Sequence, residues 1–368
     1  MRYIVFGAGG VGSAVGGRLF AAGHDVVLVA RGAHHEAVAR QGLYLASPEG
    51  PQTLAVPVVA TIADAAPRPD DVVVLAMKSQ DTAQALEDLA AVASRATPVV
   101  CLQNGVENER LALRRFDHVY GVCVVLPATY LEPGVVEVHA RGVWGILDLG
   151  RYPSGTDERC RSVARDLEDA GFSAEPVADI MRWKYRKLLI NLGNALEAAC
   201  GEAALDSDLA RRMADEARAC FDRAGIDLVS VEEDRQRRTV IEWTTIDGRP
   251  RPGSSTWQSL VRGTGTTEAD YLNGEIALLG RLHGVPTPAN AILQEVSRRM
   301  ARDGSPPHSV SLDSLVAELA VADEVLGAGR PRPSAFAAHR PGWVWDGNGE
   351  DAGASRLHPV VKALRSAA

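Results

Sequence analysis

The amino-acid sequence predicts an α/β fold, a doubly wound parallel sheet followed by a region that is helical throughout. Three features carry the prediction. Short valine-rich runs alternate with alanine-rich stretches in the first part of the chain. A glycine-rich hexapeptide follows the first of those runs without a gap. From about residue 179 the pattern gives way to helical periodicity that persists to about residue 300.

Taken in order, YIVF (3–6), DVVLVA (25–30), DVVVLAM (71–77) and TPVVCL (97–102) read as buried strands. Each is short and nearly continuous in apolar character, as a parallel strand covered on both faces must be. Helices are expected between them at 11–22 and 81–93, and that alternation indicates a doubly wound sheet. After a further run at 119–125, VVEVHA (135–140) and VWGILDL (143–149) read as a hairpin capping the sheet. Helices are then expected at 180–200, 205–224, 229–242 and 264–283; Gly284 and Pro286 precede another at 288–301. This divides the chain into an α/β domain at 1–178, a helical domain at 179–302 and an extension at 303–368. Within the extension, 312–327 reads as one more amphipathic helix, and 329–350 is rich in Pro and Gly. Trp343 and Trp345 suggest that part of this last stretch docks on an apolar surface.

A length of 368 residues exceeds one typical core, in keeping with two domains. The net charge of −8 disfavours a nucleic-acid binder, which needs a basic surface. The five cysteines are scattered, with no metal-ligand spacing, so neither a metal site nor a disulfide framework is expected. No apolar run approaches the roughly 18 residues of a membrane span, and residues 1–6 leave no room for a signal peptide. A reducing cytoplasm is the expected setting.

GAGGVG (7–12) contains G-x-G-x-x-G as Gly7, Gly9 and Gly12, with Ala8, Gly10 and Val11 between them. The pattern follows a strand and opens a helix, the context in which it binds a dinucleotide. Gly7 allows the tight turn, Gly9 lets the backbone approach a pyrophosphate, and Gly12 allows close helix–strand packing. The anion would sit at the positive end of the helix. At the end of the second strand, where an NAD-binding fold places an acid for the ribose 2′-hydroxyl, stand Ala30 and Arg31. A guanidinium clamps a 2′-phosphate instead, which favours NADP and leaves NAD open. His34 and His35 are candidate further donors, or solvated loop residues.

YRKLLINLGNAL (185–196) poses a separate question, because Lys187, Asn191 and Asn194 share one face of an otherwise apolar helix. Apolar residues occupy well over half its circumference, and asparagine is a poor choice for an exposed helical position. A narrow polar slot of this kind suits a cleft.

These segments together resemble the ketopantoate reductases (2-dehydropantoate 2-reductases). The resemblance rests on GAGGVG, Arg31, MKSQ (77–80), QNGVENE (103–109), YRKLLIN (185–191), SSTWQ (254–258), TEADYLNGEI (267–276) and HGVPTPAN (283–290), in that order, over roughly the first 300 residues. It implies a Rossmann-type N-terminal domain, an all-helical C-terminal domain like that of 6-phosphogluconate dehydrogenase, and an active site between them. It also implies NADPH-dependent reduction of a 2-keto acid, most directly ketopantoate in pantothenate biosynthesis, and is compatible with a homodimer. By the family pattern Lys78 and Asn104 line the cofactor and substrate cleft, Lys187 is the general acid, and Asn191 hydrogen-bonds the reacting or neighbouring hydroxyl; Asn194, on the same helix face, is a further candidate for substrate binding. Glu268 is expected to pair with Lys187 or to bind a substrate hydroxyl, and to lie near the cofactor; a helix N-terminal acid is the structural alternative. Ser254 and Ser255 are candidates for the substrate carboxylate, with capping of the next helix as the alternative.

Three departures all fall on the substrate. The second family asparagine aligns with Ala195, so Asn194 is one position early; Pro252 stands where an asparagine is typical; and the interval from Ser255 to Glu268 is one residue longer. A relative acting on another ketone or imine is therefore the runner-up. A catalytically inert nucleotide sensor is the reading from outside enzymology, opposed by the presence of Lys187, Asn191 and Glu268.

Overall fold

The computed structural model describes residues 1–328. Seven strands form the main sheet: β1 (Arg2–Phe6), β2 (Asp25–Val29), β3 (Val58–Val59), β4 (Val72–Leu75), β5 (Val99–Cys101), β6 (Val119–Val125) and β7 (Ile146–Arg151). Their order is β7-β6-β5-β4-β1-β2-β3, and all neighbours are parallel except β7, which is antiparallel to β6. The winding therefore reverses between β1 and β4, which opens a crevice at the carboxyl ends of those two strands.

Strand side chains alternate between two cores. Tyr3, Val5, Val72 and Val74 enter one apolar cluster; Ile4, Phe6, Val73 and Leu75 enter the other. Helices α1 (Gly10–Ala21), α2 (Gly32–Gln41), α3 (Thr82–Ala90) and α4 (Asn108–Leu113) lie between the strands, and α5 (Glu158–Asp169) follows β7. Residues of α1 and α5 join the first cluster, those of α3 and α4 the second. Burial on both faces explains why these strands read as unbroken apolar runs.

The expected hairpin does not form. Residues 135–138 pair with 43–46 and 128–129 in a separate four-stranded sheet, while 146–151 pair with β6. The burial patterns give the reason. VVEV is only half-buried along its length, as suits a sheet with one open face, whereas β7 is buried at five of its six residues and completes the edge of the main sheet.

From Ile180 the described chain is mostly helical: α6 (Ile180–Asn191), α7 (Gly193–Cys200), α8 (Asp208–Ala224), α9 (Val231–Arg238), α10 (Ser255–Val261), α11 (Asn273–His283), α12 (Pro288–Asp303) and α13 (Leu312–Ala328). They enclose a core of their own that includes Leu188, Leu196, Met213, Phe221, Ile276, Leu293 and Leu315. Two expected helices are shorter than their sequences suggest. The 229–242 stretch ends at Arg238, and Glu242–Trp243 then pairs antiparallel with Ala140–Arg141. The 264–283 stretch becomes helical only at Asn273, because Gly263 and Gly265 take φ values of 60° and 71° and a single 3-10 turn follows at Ala269–Tyr271.

Cys101, Cys123, Cys160, Cys200 and Cys220 are free thiols. Among the described residues no helix is long and apolar enough to cross a membrane. The segment containing Trp343 and Trp345 lies outside the described residues.

Candidate active site

A cavity of about 710 Å³ opens at the reversal point of the sheet and extends to α6, α7 and α10. Its size is that of a small-molecule or cofactor site.

One end is built from backbone. Gly7, Ala8, Gly9, Gly10 and Val11 line it. Gly7 has a φ of 97°, and a Cβ there would lie 2.4 Å from the Met77 backbone nitrogen, so β1 and β4 can approach only with glycine at this position. Gly12 does not face the cavity; a Cβ would strike Gly7 O at 2.6 Å and Ala76 Cβ at 2.9 Å, so its role is to seat α1 on the sheet. At Gly9 a Cβ would meet nothing within 4 Å, which leaves the backbone open to a ligand. The N-terminus of α1 has no side-chain cap and no acid in its first turn. Its N–H groups and positive dipole end therefore suit a pyrophosphate. Arg31, exposed at the N-cap of α2, also borders the cavity. These features fit a dinucleotide carrying a 2′-phosphate.

His34 does not join Arg31 as a donor to that phosphate. Its Nδ1 accepts the Gly134 N–H at 2.9 Å, so Nε2 carries the proton and donates to Ser13 Oγ at 3.0 Å. Burial pushes its pKa down to about 4, with Arg262 adding to the effect, and the ring is neutral. His35 is half-buried on the same helix.

At the middle of the cavity, Lys78 Nζ donates to Ser259 Oγ, which ties the end of β4 to α10. Burial lowers the Lys78 pKa, partly offset by Glu268. Glu268 is buried, and its Oε1 accepts from the Ser79 backbone N–H and from Ser79 Oγ, both at 3.2 Å. The expected pairing with Lys187 is thus not made, and Glu268 does not open a long helix: it precedes the 3-10 turn at 269–271. Asn104 lines the cavity from the loop after β5, and its backbone oxygen accepts Asn108 Nδ2 at 3.0 Å.

The other end is built from side chains. Lys187, Ile190, Asn191 and Asn194 all line the cavity, with Ile190 46 % exposed on its wall. The slot read from the sequence therefore faces the cleft. Burial pushes the Lys187 ammonium down to about 8, helped by Arg238 and Arg251 and opposed by Cys123 and Asp234. Asn191 is 3 % exposed, and its Nδ2 has no hydrogen-bond partner among the described residues. Asn194 Nδ2 donates to Ser255 Oγ at 3.4 Å, which brings Ser255 to the substrate end. Ala195, where the family pattern has its asparagine, is buried in the helical core. Ser254 takes the capping role: its Oγ accepts the Trp257 N–H and donates to Asn194 O, each at 3.3 Å. Both hydrogen-bonding capacities are used there, so Ser254 borders the cavity without a free group for a carboxylate.

Several residues here were not among the expected site residues, although Gln258 falls within SSTWQ. Lys184, one turn before Lys187, is buried and pairs with buried Glu109 at 2.5 Å; it also donates to Gln103 O at 2.9 Å and Val122 O at 3.2 Å. Those contacts clamp α6 to β6 and to the loop that holds Asn104. Gln258 joins α10 to the sheet side through the Tyr130 N–H at 3.1 Å and Ala128 O at 3.3 Å. Arg238 reaches the cavity from the end of α9, and Trp243 and Arg251 from the segment between α9 and α10.

A doubly wound sheet with a glycine-lined dinucleotide end, joined to a half-buried lysine on a helical wall, defines an NADP-dependent oxidoreductase of carbonyl compounds. The comparisons narrow the class. Residues 3–154 match the family described as "Ketopantoate reductase PanE/ApbA", and residues 179–301 match its C-terminal counterpart, "Ketopantoate reductase PanE/ApbA C terminal". A 2-dehydropantoate 2-reductase of Pyrococcus horikoshii is 31 % identical over 309 residues, covering 80 % of this chain and 95 % of that protein. One from Archaeoglobus fulgidus is 32 % identical over 306 residues, covering 81 % and 97 %. The crystal structure of a PanE/ApbA family ketopantoate reductase from Ralstonia eutropha superposes with a TM-score of 0.70 at 27 % identity, covering 83 % of this chain and 99 % of that one. The chain belongs to the ketopantoate reductase family.

Proposed function

We propose that this protein reduces ketopantoate to pantoate with NADPH, using Lys187 as the general acid. The observation that carries the reading is the Lys187 ammonium lining the cavity with a pKa near 8, one turn from Asn191 Nδ2, which has no hydrogen-bond partner among the described residues.

NADPH, when bound, supplies a hydride to the ketone carbon. Gly7–Val11 and the N-terminus of α1 hold its pyrophosphate, and Arg31 holds the 2′-phosphate. Lys187 stabilises the negative charge growing on the carbonyl oxygen and donates the proton that makes the hydroxyl. A pKa near 8 leaves the group largely protonated at neutral pH, yet a better acid than an ordinary lysine. Asn191 Nδ2 donates to the reacting oxygen or to the neighbouring hydroxyl. Asn194 and Ser255 orient the substrate, Asn104 closes the cofactor side, and Glu268, through Ser79, fixes the loop that carries Lys78. In this reading residues 1–178 and 179–302 are the cofactor and catalytic domains, and the enzyme works in the cytoplasm as a homodimer.

The test is loss of NADPH absorbance with ketopantoate, a panel of other 2-keto acids, ketones and imines, and NADH in parallel. Ketopantoate with NADPH is expected to give the highest kcat/KM. Turnover of ketopantoate no better than of unrelated carbonyl compounds would overturn the substrate, and no turnover of any of them would overturn the enzyme.

A further inference from the structure

The donors around Lys187 lack acceptors. Arg251 Nε, Arg238 Nη2 and Asn191 Nδ2 are all buried, and none has a hydrogen-bond partner among the described residues. All three side chains line the cavity that holds Lys187. Buried donors without acceptors are costly, and a site that gathers three of them beside an ammonium suits a ligand rich in negatively charged oxygen.

The two guanidiniums differ. Arg238 Nε lies 2.9 Å from Asp234 Oδ1, so its charge is balanced within α9. Arg251 makes no salt bridge among the described residues; Glu197 is the carboxylate that influences it, and Glu197 Oε2 already accepts the Ser254 N–H at 3.2 Å. Arg251 therefore reaches the Lys187 end of the pocket without a carboxylate partner among the described residues; of the other cations there, Lys78 donates to Ser259 Oγ, Arg262 donates to Gln258 O and lies over the Tyr130 ring, and Arg31 stands at the cofactor end. The placement of Arg251 is firm. Pro250 and Pro252 flank it and restrict the backbone on both sides. Upstream, Glu242–Trp243 is stitched to Ala140–Arg141, and Arg249 reaches Glu137 at 3.0 Å. Downstream, Gly253 takes a φ of 50° in a turn where a Cβ would strike the Trp257 ring at 2.4 Å.

We propose that Arg251 is the anchor for the substrate's carboxylate, gripping it through its guanidinium while the keto oxygen is turned toward Lys187 and Asn191. This rests on the reductase reading and adds what selects an acid over an uncharged ketone. Around Lys187 the charges fit a single carboxylate: it compensates Arg251, Asp234 already compensates Arg238, and Lys187 is left as the cation facing the keto oxygen. A planar guanidinium matches a carboxylate with two parallel hydrogen bonds, which an ammonium cannot do. An uncharged carbonyl compound would leave Arg251 buried without a counter-ion, and that penalty is the source of discrimination. The anchor also acts on the acid. Arg251 and Arg238 depress the Lys187 pKa while Cys123 and Asp234 raise it, so a carboxylate on Arg251 makes Lys187 hold its proton more firmly once substrate is in place.

The test uses the full-length protein with ketopantoate and its uncharged lactone, comparing wild type, Arg251→Met and Arg251→Lys, with NADPH affinity measured for each. Arg251→Met is expected to raise KM for ketopantoate about 30- to 100-fold, the scale of a lost hydrogen-bonded charge pair. Its NADPH affinity should stay near that of wild type, its KM for the lactone should not rise and should fall as the unpaired cation is removed, and Arg251→Lys should recover part of the preference for the acid. A merely structural role would weaken both substrates together. An Arg251→Met protein that binds NADPH and keeps the wild-type preference for acid over lactone would overturn the proposal. If that variant does not fold, unchanged preference in Arg251→Lys overturns it equally. A wild type that turns over neither compound sinks the enzyme reading, and this inference with it.

Discussion

At the cofactor end of the cleft the cavity is faced by the backbone of five consecutive residues, Gly7 to Val11, whereas at the substrate end it is faced by side chains from α6, α7, α9, α10 and the segment between α9 and α10. The first end is set by local geometry: a positive φ at Gly7, a contact that only glycine permits, and the free end of one helix. The second depends on long-range contacts that bring together residues dozens of positions apart. A site made of backbone is robust and leaves a compact motif. A site made of side chains can be retuned one residue at a time, and the three departures from the family pattern all fall there.

The contact that holds the two ends together should give the largest effect when broken. Lys184→Met leaves Glu109 buried without its cation and is expected to lower unfolding stability by about 3–5 kcal/mol in chemical denaturation. Adding Glu109→Leu should restore much of that stability while the rate of reduction stays low, because α6 no longer has its polar tether to Gln103 and Val122. Full activity in the double variant would show that the clamp does not position Lys187. A smaller effect is expected at the cofactor end. Arg31→Ala should weaken NADPH binding by about tenfold and leave NADH nearly unchanged, as expected for one exposed charge-assisted contact. Equal loss for both nucleotides would remove Arg31 from the 2′-phosphate.

What could be read in the sequence follows the same division. Gly7, Gly9 and Gly12 announce the dinucleotide end because the constraint acts on neighbouring residues of one strand–turn–helix. The slot on α6 was legible because helical periodicity puts Lys187, Asn191 and Asn194 on one face. Arg251 was not. Five arginines stand between residues 235 and 251, and helical spacing accounts only for Arg235 with Glu232 and Arg238 with Asp234. Only the fold pairs Arg237 with Asp148 and Arg249 with Glu137, and leaves Arg251 to the cavity. The helix expected to run to 242 fails for a related reason: pairing of Glu242–Trp243 with Ala140–Arg141 overrides local propensity. Glu268 lines the cavity, but its partner, Ser79, lies 189 residues away, and although Ser79 falls within MKSQ nothing in the sequence links the two.

The central claim is that the Lys187 ammonium delivers the proton, and the pH dependence of kcat/KM tests it most directly. A general acid must be protonated in the free enzyme, so kcat/KM should be level below pH 8 and fall about tenfold per pH unit above it. Lys187→Ala should remove that limb and lower kcat by about two orders of magnitude while NADPH still binds. A wild-type profile that stays flat from pH 7 to 10, or a Lys187→Ala enzyme with near-normal turnover, would contradict the account.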